Sequence, residues 1–288
     1  MVALHLIQTL TAAAYITAGI SLGFGFVRAR PQLRRAGVVI AAIAAIAHAA
    51  VLWLTLSVAE GWDVNFLNTF SLAAWLVAVL LLISTLRHGL LEAGIVVFPG
   101  TAIAVILAEL IPVNPLVLSE PSIELELHVF SSLLAYCLLS LAALTALMLA
   151  VQDKLLRQPQ RIRQLEMLPP LNVLETLMFR QVAAGLFVLT VSLITGFLFV
   201  ENLLAQHLVH KTVLTLLSWL LFSMLLFGRW RYGLRGRQAI YFTLTAMSVL
   251  LLGYFGSKLV LEILLDRSWS ASGPTAAATA ALFSLDRS

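Results

Sequence analysis

Residues 28–57 read RARPQLRRAGVVIAAIAAIAHAAVLWLTLS: four arginines close together, then a run over 36–57 without Asp, Glu, Lys or Arg. A helix rising 1.5 Å per residue needs about 20 apolar residues to cross a hydrocarbon core of roughly 30 Å. The run over 36–57 meets that length. Similar runs recur at 6–27, 67–86, 93–111, 125–151, 182–203, 212–227 and 240–265. Backbone groups in lipid must find partners within their own segment, so each run reads as a helix. The expected fold class is therefore all-α: a polytopic membrane bundle of about eight helices over 1–267, followed by an Ala- and Ser-rich tail over 268–288.

Composition supports the same class. The chain of 288 residues is 61% hydrophobic and 11% charged, whereas a soluble domain carries about 25% charged residues. No stretch between the runs is large enough for a soluble enzyme. Pro99 falls inside the fourth run, where it removes a backbone donor and is expected to bend the helix. Pro169 and Pro170 precede residues 171–179, which read as a short interfacial helix ahead of the span at 182–203.

Charge fixes an expected orientation. Arg28, Arg30, Arg34, Arg35, Arg87, Lys154, Arg157, Arg161, Arg163, Arg180, Arg229, Arg231, Arg235 and Arg237 all fall on connections of one side, fourteen of the 18 basic residues. By the positive-inside rule that side is cytoplasmic, and both termini then face the outer, periplasmic side. The basic balance is thus a topology signal, and no nucleic-acid partner is expected. The first run is not expected to be a cleaved leader, because its basic residues follow it instead of preceding it. The lone Cys137 lies inside the fifth run, excludes an intramolecular disulfide and reads as a small buried hydrophobe. Gly19 and Gly23, and Ala41, Ala45 and Ala49, repeat at four residues and mark close helix contacts, with packing inside the chain favoured over a dimer contact.

The histidines carry what chemistry the sequence offers. His48 lies well inside the second run, His128 opens the fifth, and His207 and His210 open the seventh three residues apart. His5 sits at the outer end of the first run, and His88 beside Arg87 on the cytoplasmic side. Ionisable groups within spans mark function by default. Imidazoles from different helices across an apolar slot suit haem, whose iron takes axial nitrogens. Ala44, Ser131, Ser132 and Ala135 are small enough to leave room for such a ring. The competing reading for each histidine is a packed imidazole bonded to a neighbour, which for His128 includes Glu124. Lys211 fits either a haem propionate or the headgroup region. No phosphate-binding loop, Cys-x-x-Cys, His-Glu-x-x-His or Gly-x-Ser-x-Gly motif occurs.

Several stretches occur together in a specific order: Leu127-His128-Val129 with Ser132 and Leu134-Ala135-Tyr136; Leu168-Pro169-Pro170-Leu171 through Leu174-Glu175 to Phe179-Arg180; His210-Lys211-Thr212 to Ser218-Trp219-Leu220; Gly233-Leu234-Arg235-Gly236-Arg237; and Tyr254-Phe255-Gly256. This series resembles cytochrome c assembly proteins of the CcsA/CcmC/HemX type, most of all the bacterial inner-membrane subgroup called YpjD. His48 and residues 65–75 extend the likeness to the early spans. The resemblance implies a multi-pass protein of the bacterial inner membrane that handles haem at its outer face. Better-known members carry a tryptophan-rich outer loop ending in Asp-Pro-Lys-Glu, of which residues 201–212 keep Lys211. The family histidine that pairs with the counterpart of His48 falls near Phe227 here.

The expectation is a haem-binding or haem-handling protein assisting cytochrome c assembly or a related envelope process. His128 and His210 are the expected iron ligands, with His207 as alternate and His48 and Lys211 as further haem contacts. Expected partners are the lipid bilayer, haem and other cytochrome c maturation or envelope proteins. No bond-making chemistry need belong to the chain itself. The alternatives are a haem-free membrane accessory protein stabilising a partner complex and, third, a small-solute transporter, for which inverted repeats with broken helices would be needed.

Overall fold

Lipid offers a peptide group no hydrogen-bond partner, and long helices accordingly carry most of the chain. A computed structural model describes residues 2–58, 61–88, 90–111, 113, 117–118, 123–156, 169–199 and 206–253. Among the described residues its helices are α1 (Val2–Val27), α2 (Pro31–Leu56), α3 (Phe66–His88), α4 (Gly94–Leu110), α5 (Ile123–Leu156), α6 (Leu171–Phe199), α7 (Gln206–Tyr232) and α8 (Arg237–Leu251), with a 3-10 turn, Leu91–Ala93, leading into α4. The first seven are long and apolar enough to cross a membrane. The second half of the expected last span, and the tail over 268–288, lie outside the described residues.

One sequence expectation needs correction. Residues 171–179 do not form a separate interfacial helix; they are the opening turns of α6, with Leu174, Leu177, Met178 and Phe179 buried. The fold is the expected all-α membrane bundle, to which a small antiparallel sheet is added in the connections. Strands β1 (Ser57–Val58), β2 (Gly61–Asp63) and β3 (Val117–Leu118) pair in the order β1-β2-β3, with Trp62 opposite both Ser57 and Leu118. The sheet joins the α2–α3 connection to the α4–α5 connection and so marks one end of the bundle. Beside it Asn65 caps α3, its Oδ1 accepting from the Asn68 amide at 2.9 Å, and buried Asp63 accepts from the Asn65 and Asn68 side chains at 3.0 and 3.2 Å. An Asn at this position satisfies one of the amides that a helix start leaves orphaned.

In the first half of the chain α1 packs on α2 and α4, and α3 on α2 and α4; in the second, α5 packs on α6 and α8, and α7 on α6 and α8. Contact between α3 and α5 joins the halves. The Gly19/Gly23 face meets α4, within the chain: a Cβ on Gly19 would stand 2.7 Å from Pro99 Cγ, and one on Gly23 would stand 3.8 Å from Ile95 Cγ2. Pro99 lies inside the unbroken helix α4, its ring against Gly19. The close approach that a missing Cβ permits makes up dispersion contact where lipid supplies no hydrophobic drive between helices.

The end opposite the sheet carries ion pairs between elements. Arg34 pairs with Glu92, Arg229 with Glu175 at 3.0 Å, and Arg237 with Asp153 at 2.9 Å. The Arg229 guanidinium also lies 4.6 Å from the centre of the Phe179 ring. At the strand-bearing end, His5 of α1 and Glu109 of α4 lie 3.2 Å apart.

Candidate functional site

His128 belongs to the second turn of α5 and leans on the last turns of α6. Its Nδ1 lies 2.9 Å from the carbonyl oxygen of Ser192 and 3.4 Å from Thr195 Oγ1. A carbonyl only accepts, so Nδ1 carries a proton and donates it. In the neutral ring the lone pair is then on Nε2. No hydrogen bond engages Nε2 among the described residues, and the side chain is half-buried.

The surroundings of the ring are built for that pose. A Cβ on Gly196 would fall 2.9 Å from His128 Cε1 and 3.2 Å from Nδ1, so the imidazole occupies the space that glycine leaves open. Ser132 donates to the His128 carbonyl at 2.6 Å, and the Ser132 and Ser192 hydroxyls are 2.6 Å apart. Thr195 donates to the Ser192 carbonyl at 3.0 Å, which leaves its oxygen lone pairs toward the histidine. The partner of His128 is thus a backbone carbonyl and not the carboxylate of Glu124. Ser131, Ser132 and Ala135 do not frame an open slot: Ser131 and Ala135 are buried, and Ser132 is bonded to α6. Ser192, Thr195 and Gly196 were not singled out from sequence. Their only local signal is the four-residue spacing of Ser192 and Gly196, which places two small residues on one helix face.

His48 stands elsewhere. It is fully buried in α2, with Nε2 2.9 Å from Ser71 Oγ of α3 and its ring edge-on to Tyr15 of α1, centroids 5.8 Å apart. Tyr15 in turn stacks on Phe98 of α4 at 6.1 Å. Trp75 closes the neighbourhood by donating to the Ala45 carbonyl at 2.8 Å. The imidazole is thus enclosed by its neighbours on α1 and α3. Phe227 is exposed on α7, its ring against Trp230 and Tyr232, and shares none of His48's polar or ring contacts.

His207, His210 and Lys211 belong to the first turns of α7, but their side chains lie outside the described residues, so the expected approach of His128 to either histidine does too. The side chain of His88 is likewise outside them. Among the described residues no group of three or more His, Cys, Asp or Glu side chains could hold a metal ion. One imidazole with a fixed N–H and an available lone pair suits an axial bond to haem iron, in which the macrocycle supplies the other nitrogens.

The sequence pattern of the family described as Cytochrome C assembly protein matches residues 36–265, which take in most of α2 and all of α3 to α8, with His48, His128 and the cradle on α6. The chain belongs to the cytochrome c assembly protein family. It is 31% identical over 234 residues to the inner membrane protein YpjD of Escherichia coli strain K12, covering 80% of this chain and 88% of that protein. The YpjD protein of Escherichia coli O157:H7 matches to the same extent. A 28.8 kDa protein of Azospirillum brasilense, described as uncharacterized and encoded in a nifR3-like 5′ region, is 33% identical over 147 residues, half of this chain and 54% of its own length. No solved structure shows a significant match. As a member of this family, the chain is a multi-pass protein of the bacterial inner membrane, associated at family level with cytochrome c assembly. The family match begins at Ala36, so α1, which supplies Tyr15 and the Gly19 face, lies outside it.

Proposed function

We propose that this chain binds or passes haem at the strand-bearing end of the bundle, in service of cytochrome c assembly or a related envelope process. In this reading that end faces the periplasm, together with both termini, and the arginine-rich end faces the cytoplasm, as the positive-inside rule requires. The observation that carries the reading is the His128 bond to the Ser192 carbonyl, which fixes the ring and leaves Nε2 available at the end of a membrane helix. Metal-binding histidines commonly show this arrangement, the second nitrogen anchored on a carbonyl or carboxylate.

His128 would hold the haem iron, with His210 or His207 of α7 as its second histidine. Lys211, beside His210, is placed in sequence to meet a propionate. Haem is cargo here, and bound haem supplies the iron and its chemistry. The chain's own residues bind and orient: Ser192, Thr195 and Gly196 hold the His128 ring, and Ser132 ties the turn that carries it to α6. No proton transfer or covalent step by a side chain is required.

The test is visible absorption of protein purified after expression with ample haem. Wild type is expected to show a six-coordinate low-spin spectrum, lost in both His128→Ala and His210→Ala. Loss in His128→Ala alone assigns the second bond to His207. Wild-type protein free of haem under these conditions overturns the reading and leaves a haem-free accessory role in a partner complex.

A further inference from the structure

The contact between Tyr15 and His48 holds two polar atoms without a hydrogen-bond partner among the described residues. Tyr15 Oη and His48 Nδ1 are buried without a hydrogen-bond partner, and both residues are at 0% exposure. They belong to adjacent rings on different helices, in edge contact at 5.8 Å and 78°. Ser71 occupies the other nitrogen of the imidazole, and Phe98 covers a face of the phenol, so each residue is otherwise fully engaged. Leaving a buried hydroxyl or ring nitrogen unpaired in an apolar interior is strongly disfavoured. Two such atoms on touching rings, in a membrane segment, call for a shared partner.

We infer that Tyr15 Oη and His48 Nδ1 form a binding site for one small neutral hydrogen-bonding molecule, a buried water, at the junction of α1, α2, α3 and α4. A water reaches partners up to about 5.6 Å apart, twice a normal donor–acceptor distance, and the two rings that carry these atoms are in edge contact. It both donates and accepts, so it serves either tautomer of His48, whichever direction the Ser71 bond runs. Larger ligands are excluded by the fully buried rings around the site. Gln8, Thr11 and Tyr15 are buried polar residues on one face of α1, spaced at three and four, and they line up toward His5 and Glu109 at the strand-bearing end. The site makes His48 a hydrogen-bonding hub that ties three helices, α1 through the water, α2 through its own backbone and α3 through Ser71. It does not depend on haem binding at His128.

Two measurements on the full chain, in lipid nanodiscs and without added haem, test the site. A structure at a resolution that shows ordered water is expected to place one peak within hydrogen-bond distance of both atoms. A direct Tyr15–His48 bond, or no peak, overturns the proposal. Independently, in protein labelled with 15N-histidine, the signals lost in His48→Asn identify His48. Tyr15→Phe, which keeps the ring stack and removes the hydroxyl, is expected to shift the His48 Nδ1 signal and leave Nε2 near its place. An unmoved Nδ1 signal overturns the shared site, and a shift of both nitrogens shows repacking of the ring and overturns it equally.

Discussion

Replacing Gly196 by alanine probes the cradle of His128 with a single methyl group. The new Cβ would stand 2.9 Å from His128 Cε1 and 3.2 Å from Nδ1, where non-bonded carbon atoms prefer about 3.5–4.0 Å. The ring must therefore retreat from α6 by roughly 0.6–1 Å. The carbonyl it bonds is on α6 as well, so retreat stretches the Nδ1 to Ser192 bond from 2.9 Å toward about 3.5 Å or beyond, where it no longer counts as a hydrogen bond. Loss of that bond costs about 1 kcal/mol net, and overpacking costs about 1–3 kcal/mol more. Alanine in place of glycine within a helix offsets about 1 kcal/mol, so a net loss near 1–3 kcal/mol is expected. Reversible unfolding of purified protein in mixed detergent micelles measures it, and the 15N signal of His128 Nδ1 reports the broken bond separately. A variant as stable as wild type, with the Nδ1 signal unchanged, refutes the idea that glycine is required for the ring to lie where it does.

Asn65→Ala removes the cap of α3 and one donor to buried Asp63; a cap alone is worth about 1 kcal/mol and the second bond about another 1 kcal/mol. The same unfolding assay is expected to show about 2 kcal/mol lost, and a change below about 0.5 kcal/mol would contradict the cap. For orientation, a phosphatase and a fluorescent reporter fused in turn at the α7–α8 connection, residues 233–236, are expected to report a cytoplasmic location; activity of the phosphatase there would reverse the assigned topology.

Most helices were legible because a bilayer imposes a length and a polarity that local sequence must meet. The misreading at α6 has a specific cause. Arg180 interrupts the apolar run and Pro169-Pro170 precedes it, so residues 171–179 resemble a loop with a surface helix. In the fold Arg180 is exposed on a continuous helix, where a long side chain can carry its charge to the headgroups. The sheet was illegible for the opposite reason: strands of two or three residues hold no periodicity, and β2 meets β3 only through a pairing across more than fifty residues. The Gly19 and Gly23 spacing announced a close contact, but that Pro99 is what fills it follows only from the fold.

The same division governs the sites. His128 and His48 stand out as polar residues in apolar runs, and the sequence can say no more than that. What distinguishes them is the partner of each ring nitrogen. For His128 Nδ1 it is a carbonyl sixty-four residues away, and for His48 Nε2 a serine on the next helix, with the ring edge-on to a tyrosine of α1. Neither pairing leaves a mark in local composition.

The three-stranded sheet has a mechanical consequence. Because β2 is bonded on both sides, to the strand that ends α2 and to the strand that precedes α5, it acts as a clasp between the first and second halves of the chain. A clasp at one end turns any parting of those halves into a pivot about that end, so the lateral gap widens with depth and is greatest among the arginine pairs. Access to the interior from within the bilayer would then begin far from His128, with its cradle near the axis of rotation and least displaced by the movement.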